Sequence, residues 1–126
     1  MGRQGIVVIV GLVFIAIGLP SYAAEDYEDP SPSLELGAAV YATRCVLCHG
    51  NKGMGEGIMP MRLKEYPDTS LLKPRVAHKR KEVLDTTVLG ALYKDTSEYM
   101  PPFGKELSWS ELESVSDFIM LLREDQ

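Results

Sequence analysis

Residues 43–50 read TRCVLCHG and hold both cysteines of the 126-residue chain together with one of its two histidines. Cys45 and Cys48 stand about one helical turn apart, and His49 follows directly. Four chemistries use such a set. A thioredoxin-like dithiol needs a strand-helix-strand setting around its Cys-x-x-Cys, and no segment here shows sustained strand alternation. A structural zinc ion needs four ligands, commonly from two such clusters, and there is no second cluster. A plain disulfide would leave the adjacent imidazole without a purpose. The remaining reading is covalent attachment of haem, with Cys45 and Cys48 as thioethers to its two vinyl groups. His49 is then carried beneath the ring, where it binds iron from the proximal side.

The second axial ligand decides between electron transfer and chemistry on a small bound molecule, because only an open iron position admits one. The sequence offers Met54, Met59, Met61, Met100, Met120 and His78. Met54 follows His49 too closely to reach the opposite face, and Met120 falls within a helical pattern where packing is its ordinary role. Met100 lies in YMPPFG between two helical segments. Pro101 forces extended backbone at Met100, and the two prolines limit how far the loop can swing a sulfur away. Met100 is therefore the expected distal ligand.

The flanking elements are helical. Ser33 can cap a first helix on which Leu36, Val40, Tyr41 and Cys45 recur at helical spacing. Four glycines in residues 50–57 make a loop able to turn tightly against something flat. Residues 58–74 hold too many prolines for a long helix and read as short turns, with Leu63, Leu71 and Leu72 inward. A middle helix is expected over 79–93, its stripe Leu84, Val88 and Leu92 flanked by Val83 and Ala91. The last helix starts at Ser108, whose pairing with Glu111 fits a capping box, and carries Leu112, Val115, Phe118, Ile119 and Leu122 on one stripe.

Arg3 precedes an apolar run, residues 6–19, that is shorter than the roughly twenty residues needed to cross a bilayer as a helix. With the small residues Ser21 and Ala23 after it, this reads as a signal peptide over residues 1–23, and an uncleaved anchor is the alternative. Its removal takes away Arg3 and no acid, so the formal charge moves from -5 to -6. An acidic chain without a basic stripe is a poor match to nucleic acid. Residues 24–33, with four acids and two prolines, read as a flexible segment, which leaves residues 34–126 as one domain. Lys73, Arg75, Lys79, Arg80 and Lys81 form a cationic run, either a docking patch for an acidic partner or the solvated start of the middle helix.

A helix leading into Cys-x-x-Cys-His, a glycine-rich loop, a Met-Pro-Pro-Phe loop and a closing amphipathic helix resemble the class I c-type cytochromes of the small bacterial periplasmic kind, over residues 34–124. The resemblance implies an all-α cytochrome c fold, three main helices and loops wrapped around one covalent haem. It also implies that Gly37, Tyr41 and Phe118 mark the crossing of the first and last helices, and that the proximal imidazole bonds a backbone carbonyl near Pro60. The resemblance does not identify propionate partners; Arg62, Tyr66 and Arg75 are the candidates in the segment that follows.

The expected function is that of a periplasmic one-electron carrier, not an enzyme, with Cys45, Cys48, His49 and Met100 as haem and iron ligands. Its partners are redox proteins, donor and acceptor, with no small-molecule substrate. The alternatives are a cytochrome subunit of an exported dehydrogenase, a haem sensor or enzyme with a displaceable methionine, and a haem-free thiol oxidoreductase.

Overall fold

A computed structural model describes residues 28–73 and 79–124. Among them are five helices and no strand: α1 (Leu34–Arg44), α2 (Val46–His49), α3 (Ile58–Arg62), α4 (Arg80–Leu89), followed by a 3-10 turn (Gly90–Leu92), and α5 (Trp109–Glu124). The all-α expectation holds. The proposed signal peptide, residues 1–23, lies outside the described residues, as do Arg75 and His78.

Ser33 caps α1, its hydroxyl accepting from the Leu36 amide at 3.1 Å. The Ser33 amide in turn donates to the Ser114 hydroxyl on α5 at 3.0 Å, and Asp29 accepts from the Ser110 amide at 3.2 Å. The described end of the acidic segment is thereby tied to α5. Ser108 and Glu111 form the reciprocal capping box at the start of α5, with amide contacts of 2.8 and 3.2 Å.

Helices α1 and α5 pack where Gly37 faces the α5 backbone. A Cβ on Gly37 would stand 2.1 Å from the Ser114 carbonyl oxygen and 2.9 Å from Phe118 Cβ. One turn on, Tyr41 and Phe118 meet with ring centroids 5.3 Å apart, tilted by 54°. Such a tilted pair contributes about 0.5–1.5 kcal/mol beyond its burial. Around this crossing lies the main core of Val40, Tyr41, Cys45, Val83, Val115 and Ile119. A second cluster of Leu84, Phe103 and Leu112 has Val88 and Met100 packed against it.

Three sequence expectations need correction. Leu92 is 81 % exposed, because α4 stops at Gly90, where φ is +54° and the chain turns away. Leu63 is also exposed, since it caps α3 on its outer side, whereas Leu71 packs against the core. Residues 58–62 form a short helix rather than turns; Pro60 is tolerated because the first helical turn has no amide partner to lose.

The glycine-rich loop is organised by Glu56, whose carboxylate accepts from the Lys52 amide at 2.7 Å and the Met54 amide at 2.9 Å. Desolvation pulls this carboxyl upward, but the amides of Lys52, Glu56 and Met54 together outweigh it and hold its pKa below the usual range.

Gly37→Ala should lower the unfolding temperature by roughly 5–20 °C, from about 1–3 kcal/mol of overpacking at about 4–8 °C per kcal/mol. Thermal unfolding by circular dichroism measures this; an unchanged midpoint would mean that the helices do not approach as described. Because the folded pKa of Glu56 is depressed, its contribution is present above the ordinary carboxylate pKa and is lost as pH falls through the folded value. Glu56→Gln should thus melt below the native protein at pH 7, with the difference closing under acid conditions, below about pH 4.

Candidate functional site

Members of both core clusters line a cavity of about 830 Å³, within the range of about 300–1,000 Å³ common for cofactor sites. Its lining includes Cys45, Cys48, His49 and Met100, together with Val83, Phe103 and Ile119. These four candidates, from two distant stretches of chain, therefore share one space.

Cys45 and Cys48 are both free thiols, Cys45 buried and Cys48 half-buried. Burial, and after it the neighbouring Cys48, pushes the Cys45 thiol up to about 12. A thiol so poor in thiolate is a weak redox nucleophile, which counts against dithiol chemistry. Among the described residues no group of three or more His, Cys, Asp or Glu side chains converges to hold a metal ion, which leaves the zinc alternative without a site.

His49 ends α2, where Gly50 at φ +79° turns the chain aside. Its Nδ1 lies 2.6 Å from the Thr69 carbonyl. A carbonyl only accepts, so Nδ1 carries the proton and Nε2 presents a lone pair suited to a metal. Burial lowers the pKa of the ring, partly offset by the bond to Thr69, which favours the neutral form that ligates. Thr69 is fixed in turn: its hydroxyl donates to the Cys48 carbonyl at 2.6 Å. The expected carbonyl near Pro60 is thus corrected to Thr69, because α3 occupies the Pro60 segment while the stretch after Pro67 reaches the imidazole.

Two further bonds hold this wall. The Tyr41 hydroxyl donates to the Gly50 carbonyl at 2.8 Å, and the Leu71 amide to the Gly53 carbonyl at 2.8 Å. The crossing of α1 and α5 is therefore wired through Tyr41 to the turn that follows the histidine.

Met100 is half-buried and is the methionine that lines the cavity among the described residues. Met54 and Met61 are exposed, and Met120 packs against the main core. The Met100 loop is stitched to α4 and the 3-10 turn after it: Ala91 donates to the Met100 carbonyl at 2.9 Å, Phe103 to the Thr87 carbonyl at 3.0 Å and Gly104 to the Val88 carbonyl at 3.1 Å. A Cβ on Gly90 would stand 2.5–2.6 Å from the backbone of Met100, Pro101 and Pro102, so only glycine lets the loop lie this close.

Of the suggested propionate partners, Tyr66 lines the cavity and Arg62 does not; the cations that do are Arg44, Lys94 and Arg123. Sequence spacing could not find them, since they come from three separate segments. Tyr66 also brings its hydroxyl to 3.4 Å from Cys48 Sγ, and its ring lies 4.8 Å from that of Tyr99. Within the described part of the cationic run, Lys73 pairs with Asp68, Arg80 with Asp117 and Lys81 with Asp85. These pairs leave that run largely neutralised, in keeping with a solvated helix start.

Comparison with known proteins agrees with this geometry. Residues 32–119 match the family described as Cytochrome C oxidase, cbb3-type, subunit III. No curated protein matches. Among solved structures, a chain of the Kuenenia stuttgartiensis reducing HAO-like protein complex shares the fold at a TM-score of 0.57 and 22 % identity over 76 % of the present chain. The match spans 52 % of that longer chain. The lining, with two thiols, an imidazole whose Nε2 is left for a metal, and a thioether among apolar side chains, fits an iron porphyrin, and the cofactor is a c-type haem. The chain belongs to the c-type cytochrome family of cbb3-type oxidase subunit III.

Proposed function

We propose that this protein is an exported one-electron carrier whose haem is attached through Cys45 and Cys48 and ligated by His49 and Met100. The single observation that carries the reading is that all four side chains line one cavity with an apolar lining. When bound, the haem supplies a ferric/ferrous couple accessible near neutral potential or above.

The chain's residues account for the rest. Thr69 orients the imidazole and fixes its tautomer, so that the nitrogen offered to iron does not depend on solvent. Met100 offers a soft sulfur that favours the reduced metal, and the apolar side chains of Val83, Phe103 and Ile119 disfavour the extra positive charge of the oxidised one. Both raise the potential. Backbone bonds on each wall hold the ligands with little freedom, which suits transfer without rearrangement.

A second form of the same chemistry is a cytochrome subunit of a larger redox assembly. It is favoured by the family description and by the structural neighbour, which belongs to a complex and is about one and a half times as long. In either form the partners are redox proteins, and residues 1–23 serve export to the periplasm, where haem attachment occurs.

Cys45→Ser and Cys48→Ser should each keep haem staining on a denaturing gel through the remaining thioether, and the double variant should lose it. Retention in the double variant would exclude covalent attachment at these cysteines. Met100→Ala should abolish the weak sulfur-to-iron band at the red end of the ferric spectrum and lower the midpoint potential by at least about 60 mV, one tenfold change in relative affinity for the two oxidation states. An unaltered band would move the distal ligand elsewhere.

A further inference from the structure

The two walls of the cavity are held differently. His49 is fixed from its own side by Thr69, and Thr69 by Cys48. Met100 is fixed to α4, through Ala91, Thr87 and Val88, which anchors its loop to the helix behind it. Those bonds do not reach across the cavity mouth to the cysteine side. Tyr99, the residue before Met100, does: its ring packs on Tyr66 with centroids 4.8 Å apart and planes tilted by 47°. Tyr66 continues to the opposite wall, its hydroxyl 3.4 Å from Cys48 Sγ.

We infer that Tyr66 and Tyr99 form a clamp across the cavity mouth that ties the Met100 loop to the Cys48 wall and sets how readily the Met100 sulfur gives way to another ligand. The clamp rests on Met100 as the distal ligand and makes both tyrosines positioning residues. Its chemistry is compatible with haem attachment. A thioether sulfur has no hydrogen and accepts only weakly, so the Tyr66 hydroxyl becomes the donor in that contact. Tyr99 is 52 % exposed, so its place on Tyr66 is not imposed by core packing; in solvent the ring gains little from that position unless it is holding the loop. The Ser97 hydroxyl accepts from the Tyr99 amide at 3.3 Å and the Ser97 carbonyl from the Met100 amide at 3.0 Å, so ring and sulfur leave one tight turn and move together.

The test is titration of the ferric, haem-loaded full chain with imidazole, following loss of the sulfur-to-iron band. Tyr99→Ala should bind imidazole about three- to tenfold more tightly than the native protein, the range an aromatic pair's coupling supports, and Tyr99→Phe should restore the native midpoint. Tyr66→Leu breaks the same stack from the other loop and should give a similar gain, which keeps the test in hand if Tyr99→Ala fails to load haem. A lowered unfolding temperature with an unchanged imidazole midpoint is what a merely structural pair would give, and it overturns the clamp alone. A native protein without the band overturns the ligand reading and the clamp with it.

Discussion

The architecture depends on one constraint: a chain of this length has to close around an apolar cavity of about 830 Å³. The side chains form two clusters, one around Val40, Tyr41 and Val115 and one around Leu84, Phe103 and Leu112, bridged by Leu107, and members of both line the cavity. A c-type haem is thus a packing partner for this cavity as well as a redox group, and the attachment proposed at Cys45 and Cys48 would make that partner permanent.

Small residues stand wherever the surrounding chain must come closest. Gly37 lets α1 meet the Ser114 carbonyl, and Gly90 lets the end of α4 lie against the Met100 to Pro102 backbone. Ser114 and Ser116 are fully buried yet satisfied, Ser114 by the Ser33 amide and Ser116 by donating to the Leu112 carbonyl at 2.8 Å. Thr87 does the same on α4, donating to Val83 at 2.9 Å. Buried hydroxyls that bond within their own or the adjoining helix terminus allow close helix approach without an unpaired polar group, which would otherwise cost about 1–3 kcal/mol.

Local features of the fold were legible in the sequence, and of the tertiary ones the crossing at Gly37, Tyr41 and Phe118 was legible only through the family resemblance. The Ser33 cap, the Ser108 and Glu111 box and the stripe on α5 are decided within a few residues, so spacing reveals them. Cys45, Cys48, His49 and Met100 stand out in the sequence because the residue types are chemically restrictive, and the fold brings all four to one cavity. Leu92 was misplaced because its stripe is broken by Gly90, and that turn is set by a loop returning from residue 100. Thr69 was missed in favour of Pro60 because a carbonyl acceptor has no side-chain signature. Glu56 had a signal that went unused: one acid among four glycines, surrounded by amides in need of an acceptor. Tyr66 and Tyr99 come from two loops with no shared periodicity, and only coordinates bring them together.

The unequal support of the two axial sides has a functional consequence. His49 sits within a closed circuit, imidazole to Thr69 carbonyl and Thr69 hydroxyl to Cys48 carbonyl, so moving it means breaking the segment that also carries Cys48. Met100 sits on a loop anchored along one edge by backbone bonds to α4 and the 3-10 turn after it, with no comparable circuit through the opposite wall among the described residues. On the proposed ligation, exchange at the iron would therefore be controlled from the methionine side. A few contacts beside the Met100 loop would then decide whether the fold stays a closed carrier or admits an incoming ligand, while the helices behind them stay unchanged.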